Sequence, residues 1–258
     1  MNAVHPARYY LDCIDKGICL YWRSLGKARN MQIHAGDIEY ILSNPRGGPE
    51  RIYRVSLSPE TAEQRIAEIG AGIRAGSLPN GMLITPASTP ENLVALLVRH
   101  GFSIDTADPC MALDLCNLRE PSPTDETIQV FTLTDDTRLR QWADILNVAL
   151  CGSEIMRYEQ LHDLYDLNDA TFFMALYEDV PAAVSMTLRE GDTATLEFVA
   201  TLKEQRHKGL GRAVVGAALR HLRDAGVVTV TLRAEQDGIR LYQHMGFMEI
   251  YKRTVAYL

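Results

Sequence analysis

A chain of 258 residues that is 47% hydrophobic and 23% charged can bury a substantial core, which excludes a disordered protein. At roughly 150 residues per domain, one large domain or two small ones are both admissible. A net charge of −7 and an isoelectric point near 5.5 exclude a broad nucleic-acid-binding face, so any polyanion must be met by a local cluster of positive charge.

No apolar run approaches the roughly 20 residues of a membrane span. His5, Pro6, Arg8 and Asp12 do not follow the basic-then-apolar order of a signal peptide. The cysteines, Cys13, Cys19, Cys110, Cys116 and Cys151, are odd in number and spaced for neither a disulfide framework nor a zinc site. They predict reduced thiols in a cytoplasm and no bound metal.

In chain order, Tyr10, Leu11, Ile14, Ile18 and Tyr21 share one helical face and predict a helix from Arg8 to about Leu25, with Gly17 as its weak point. Asp37 to Ser43 and Arg51 to Leu57 read as a hairpin around the turn cluster that starts at Asn44. Ser58 as cap and Pro59 as first helical residue predict a helix to Gly76. Met82 to Ile84 is a short strand, and Thr89-Pro90-Glu91 opens a helix that ends at His100-Gly101-Phe102. Tyr21 and Trp22 read as core, and His34 and His100 lack partners at ligand spacing. Nothing in this half assembles a reaction site.

Residues 117–127 are polar and twice interrupted by proline, the composition of an exposed linker. It divides the chain into domains at 1–120 and 126–258. Beyond it, Ile128 to Leu133 alternates as a strand, Thr134-Asp135-Asp136 caps a helix that reaches Gly152, and a second helical stretch runs from about Ser153 to Tyr165. Three strands, Thr171 to Tyr177, Ala182 to Leu188 and Thr193 to Ala200, are joined by hairpin-length turns. A helix from Leu210 to Asp224, a buried strand from Val227 to Leu232, a short helix from Asp237 to Met245 and a last strand to Tyr257 complete an α+β fold with a mixed β-sheet flanked by helices.

Chemistry concentrates between the third of those strands and the helix at Leu210. Gly209 and Gly211 let a phosphate approach the backbone, and the free N–H groups of a helix start attract negative charge. Arg206, His207, Lys208 and Arg212 put a basic rim on an acidic protein, as a diphosphate would require. Asp163, Asp166 and Asp169 lack the glycine and closing glutamate of a calcium loop and read as a solvated turn, and Cys151 has no histidine at a nucleophile's spacing.

Arg206-x-x-Gly209-x-Gly211, preceded by Val199-Ala200-Thr201 and followed by Leu241-Tyr242-Gln243-His244-Met245-Gly246-Phe247, resembles the acyl-CoA signature of the GCN5-related N-acetyltransferases, the GNAT superfamily, over residues 128–258. Lys203 replaces a frequent proline and Glu235 a frequent asparagine or serine. The resemblance implies an acyl-CoA-dependent N-acetyltransferase that uses acetyl-CoA. Amides from His207 through Leu210 to Arg212 would hold the pyrophosphate, and Val199, Ala200 and Thr201 would pair with pantetheine. It implies direct transfer to a small-molecule or peptide amine, with Tyr242 reprotonating the leaving thiolate. Strand alternation puts Glu197 on the face of Val199 and Thr201, where it could take the amine's proton through water. The alternative is a non-catalytic acyl-CoA-binding regulatory or interaction module.

The first half echoes the second. A helix closing on His100-Gly101-Phe102 matches one closing on His244-Met245-Gly246-Phe247, about 145 residues later. The first half is therefore read as a degenerate GNAT-like domain, with Leu97 at the place of Tyr242, no glycine loop and no acyl-CoA site. Its expected role is to wall the acceptor cleft or to mediate a homodimer. With Asp163, Asp166, Asp169, Glu154 and Glu159, the segment 150–168 is acidic and favours a cationic amine as acceptor.

Overall fold

The computed structural model describes residues 5–43, 49–119, 126–151 and 157–258. The first half runs α1 (Ala7–Ala28), β1 (Gln32–His34), β2 (Ile38–Leu42), β3 (Arg51–Val55), α2 (Ala62–Arg74), β4 (Met82–Ile84), α3 (Leu93–Arg99) and β5 (Ser103–Asp114). The second runs β6 (Ile128–Thr132), α4 (Asp136–Leu146), α5 (Tyr158–Tyr165), β7 (Ala170–Tyr177), β8 (Val180–Glu190), β9 (Thr193–Thr201), α6 (Leu210–Asp224), β10 (Thr229–Arg233), α7 (Ile239–Met245) and β11 (Met248–Tyr257). A π-helical turn, Asn147–Cys151, extends α4.

The strands form a single mixed sheet in the order β1-β2-β3-β4-β11-β5-β10-β9-β8-β7-β6. That order carries the duplication further than the sequence echo. From β1 to β5 and from β7 to β11 the same succession of strands and helices is repeated, and the two copies are arranged about an axis between β5 and β11. In each copy the third and fourth strands are parallel, β3 with β4 and β9 with β10. The last strand of each copy has been exchanged: β5 lies against β10 of the second half, and β11 lies against β4 of the first. Neither half completes its sheet without the other.

One sheet face is covered by α1, α4 and α5. Its core runs across both halves, from Ile41 and Tyr53 through Ile14 and Ala112 to Trp142 and Phe172. Fully burying a side chain such as Ile14 or Phe172 contributes roughly 1.5–3 kcal/mol. α1 lies directly on the strands because of Gly17, where a Cβ would come within 2.6 Å of Thr231 Oγ1. The opposite face is covered by α6 against the second half and by α2 and α3 against the first.

The expected hairpin, the α6 span and the three antiparallel strands β7 to β9 are present as read. Two helix starts in the first half differ. Ser58 heads a turn, Thr61 N–H to Ser58 O at 3.2 Å, and α2 begins at Ala62, while α3 begins at Leu93 because Thr89 is committed to pairing with β3. Periodicity does not predict strands β1 and β5. β5 opens with the polar run Ser103 to Asp108 and contains Pro109, which argues against a central strand. Pro109 is tolerated because it lies beyond the last pair with β10, Arg233–Cys110, and beside a bulge in the pairing with β11.

The turn from Asn44 and the middle of the linker, 120–125, lie outside the described residues. Cys13, Cys19, Cys110 and Cys116 are free thiols, and among the described residues no helix is long and apolar enough to cross a membrane.

Candidate functional site

The glycine loop stands at the mouth of a splay in the sheet. β9 and β10 pair only at Thr193–Thr229, Ala194–Val230 and Thr195–Thr231, and β9 then continues to Thr201 without a partner on that side. After a 3-10 turn, Lys203–Gln205, His207 (φ 66°) and Gly209 (φ 87°) both take left-handed conformations that turn the chain into α6. The first helical bond is Ala213 N–H to Gly209 O, 2.9 Å. Among the described residues, the amides of 207–212 have no backbone acceptor.

Two left-handed residues followed by a helix start form an amide nest whose donors and dipole suit an anion. His207 adopts a backbone conformation rare for a non-glycine residue, a strain of the kind that gathers at ligand sites. Arg206 spans the mouth of the splay, its Nη1 3.5 Å from Asp237 Oδ2, and Lys208 Nζ lies 2.8 Å from Gln205 Oε1 and 4.1 Å from the centre of the Tyr177 ring. Arg206, His207, Lys208, Gly209 and Arg212 are exposed, and Leu210 is buried and anchors the helix.

Strand β9 departs from regular alternation inside the splay. Val184 faces Ala200 but Met186 faces Glu197, so one residue of β8, Ser185, opposes both Phe198 and Val199. Phe198 takes φ 53° to make this bulge. Glu197 and Phe198 consequently both turn toward α1, whereas Val199 packs with the α6-side core and Thr201 Oγ1 lies beside Gly211. This corrects the expectation that Glu197 shares a face with Val199 and Thr201.

Glu197 is also not free. Its Oε1 accepts from Thr195 Oγ1 at 2.7 Å and its Oε2 is ion-paired with Arg233 Nη2. The guanidinium carbon of Arg233 lies 4.4 Å from the centre of the Tyr21 ring. Burial works against the charge of Arg233, and Glu197, with smaller help from Tyr21 and Cys110, more than offsets it, leaving the guanidinium pKa raised. Tyr21 and Trp22 are thus only partly core: Tyr21 faces the ion pair and Phe198, at 5.8 Å between ring centres.

Tyr242 is buried on α7, with its ring 5.8 Å from that of Phe247. Burial, then the charges of Glu197 and Glu235, raise its pKa, so the phenol keeps its proton well above neutral pH. The sequence motifs located the loop and Tyr242, but the bulge, Arg233 and the aromatic wall from α1 carried no local signal. Among the described residues no group of three His, Cys, Asp or Glu is placed to hold a metal ion.

The corresponding place in the first half is closed. Where β9 runs free, β3 is followed by Ser56 and Leu57, and these pair with Thr89: Leu57 N–H bonds to Thr89 O at 3.2 Å and Thr89 N–H to Val55 O at 3.3 Å. The chain itself occupies the path that an extended ligand would follow. α2 begins directly at Ala62, beside Glu60 and Glu63, with no glycine loop. One acyl-CoA per chain is therefore the expected stoichiometry in a calorimetric titration, and two equivalent sites would mean that the first half is not closed.

Residues 138–247 match the Acetyltransferase (GNAT) family. A Bacillus subtilis (strain 168) protein provisionally named an acetyltransferase is 26% identical over 96 residues, covering 37% of this chain and 62% of that protein. Among solved structures, a GCN5-related N-acetyltransferase from Kribbella flavida matches with a TM-score of 0.71 at 16% identity, covering 94% of each chain. A tandem GNAT protein from the clavulanic acid biosynthesis pathway matches with a TM-score of 0.64 at 14% identity, again over 94% of each. At these identities the structural matches establish the fold, a tandem arrangement across nearly the whole chain.

Proposed function

We propose that this chain transfers an acetyl group from acetyl-CoA directly to the amine of a small molecule or peptide, a reading supported by the match of residues 138–247 to the Acetyltransferase (GNAT) family. The observation that carries the proposal is the unpaired amide nest at 207–212 at the mouth of an open, bulged strand pair. Those amides, with Arg206, Lys208 and Arg212, would hold the pyrophosphate. Val199, Ala200 and Thr201 would meet the pantetheine along the unpartnered edge of β9. Bound acetyl-CoA supplies the activated thioester.

The acceptor enters on the α1 face, where Phe198, Tyr21 and the Glu197–Arg233 pair form the floor. An alkylammonium, with a pKa near ~10, must lose a proton before attack. A carboxylate already neutralised by a guanidinium is a poor proton acceptor, so the role proposed for Glu197 is to position Arg233, and the proton leaves through water. Tyr242 donates to the departing sulfur. The first half acts as a wall of the cleft, contributing Tyr21.

Acetyl-CoA at about 100 times its Kd should stabilise the chain by about 2.7 kcal/mol, raising Tm by roughly 5–10 °C. Thiol release on an amine panel then tests transfer. Absence of a shift with any short acyl-CoA would remove the proposal. The acetyltransferase family match weighs against the non-catalytic binding module, which would return only if the chain bound acetyl-CoA and released no thiol with any amine.

A further inference from the structure

A cavity of about 460 Å³ opens at the end of the sheet opposite the glycine loop, within the roughly 300–1,000 Å³ of small-molecule sites. Strand β10 separates the two places. Its first residue, Thr229, faces Asp114 in the cavity wall, and its last, Arg233, pairs with Glu197 in the splay. Neither Glu197, Arg233, Tyr242 nor the loop from Arg206 to Arg212 lines the cavity.

The walls come from the turn that follows β5 and from the junction of α7 with β11. Arg119 N–H bonds to Met245 O at 3.1 Å, and a Cβ on Gly246 would meet Asn117 O at 2.8 Å, so glycine lets the turn close against the end of the helix. Leu113, Leu118 and Met248 give the cavity apolar surface, and Met248 is 41% exposed. Arg119 gives it an accessible charge: its side chain is exposed and, among the described residues, makes no hydrogen bond or ion pair. Asp114 is the other charged residue of the wall, but it is 1% exposed. Its Oδ2 accepts from Tyr10 Oη at 2.5 Å and its Oδ1 from Thr229 Oγ1 at 2.8 Å. A ligand therefore meets one guanidinium beside an apolar surface.

We propose that this cavity is a second ligand site, which binds a small amphipathic monocarboxylate with its carboxylate on Arg119 and its apolar body on Leu113, Leu118 and Met248. The guanidinium fork matches a planar carboxylate with two parallel charge-assisted hydrogen bonds. No second cation lines the cavity, so one negative charge is matched, whereas the loop from Arg206 to Arg212 gathers several cations for a diphosphate. The site does not depend on the acetyl-transfer proposal.

The test is calorimetric titration of the full chain with octanoate, octan-1-ol and octylamine, with and without saturating CoA. Octanoate should bind about tenfold more tightly than the alcohol, the amine no better than the alcohol, and CoA should leave that ratio unchanged. Arg119→Gln, at an exposed position, should reduce octanoate to the affinity of the alcohol and leave the alcohol as it was. Met248→Ser should weaken both. The place is read independently through Cys116, an exposed thiol of the same wall: its alkylation by iodoacetamide, followed by peptide mass, should slow severalfold in saturating octanoate. Equal binding of octanoate and octan-1-ol, a preference that survives Arg119→Gln, or unchanged alkylation of Cys116 overturns the site. A preference that disappears with CoA also overturns it, because it places octanoate in the acyl-CoA groove.

Discussion

Tyr242→Phe is expected to slow turnover by about a hundredfold, the lower end of what a positioned proton donor contributes, while the Kd for acetyl-CoA and the Tm stay close to native. The substitution removes one oxygen and keeps the ring, so packing against Phe247 is retained. Its phenol is raised in pKa by burial and by the neighbouring charges of Glu197 and Glu235, so it remains protonated as pH rises toward 10 and beyond. The pH profile of kcat should therefore lack an alkaline limb in that range. An equal fall in kcat and in acetyl-CoA affinity, or no fall in kcat, would assign Tyr242 to the core.

A second substitution approaches the same hydroxyl sterically. A Cβ on Gly238 would stand 2.8 Å from Cε2 and 3.5 Å from Cζ of Tyr242. Gly238 has φ −89°, an ordinary conformation for any residue, and its Cβ would meet Glu235 O only at 3.4 Å, so Gly238→Ala acts chiefly through the closer Tyr242 contact. It should displace the phenol tip and slow turnover by about tenfold with little change in Tm. Native turnover in Gly238→Ala would mean that the position of the hydroxyl is uncritical.

The parts of the site that were legible in sequence are those built by local rules. Arg206 to Arg212 specifies its own conformation, because two glycines and a helix start require little from the rest of the chain. The segment Leu241 to Phe247 is likewise a short helix closed by Gly246 (φ 105°). What was not legible depends on distant pairing. The bulge at Phe198 reverses the face of Glu197 relative to Val199, and no alternation rule can anticipate an inserted residue.

The fold divides along the same line. α6 and β7 to β9 follow from periodicity, whereas the exchange of β5 and β11 joins β10 to β5, 115–123 residues apart, and β11 to β4, 170–174 residues apart. Tyr257 meets Arg51 and Gly81 only because of that exchange. The first half keeps the helix–strand order of the second, and the reason it offers no second site appears only in structure: Thr89 takes the edge that β9 leaves open.

Glu197→Gln is expected to lower Tm by about 10 °C, because it strips the counter-charge from an arginine whose side chain is 14% exposed. Breaking one side of a buried ion pair costs about 3 kcal/mol or more, and at a chain length of this order each kcal/mol shifts Tm by roughly 2–4 °C. Replacing both partners, Glu197→Leu with Arg233→Met, removes the uncompensated charge and should recover most of the lost stability. Kinetics on the folded protein then distinguish positioning from proton transfer. If Glu197 acts only by holding Arg233, the acid limb of kcat/KM in Glu197→Gln should still follow the ionisation of the acceptor amine, so it moves when the amine is changed. A limb that disappears in Glu197→Gln, together with turnover slowed by about a hundredfold or more at a temperature where the variant is fully folded, would make Glu197 the base.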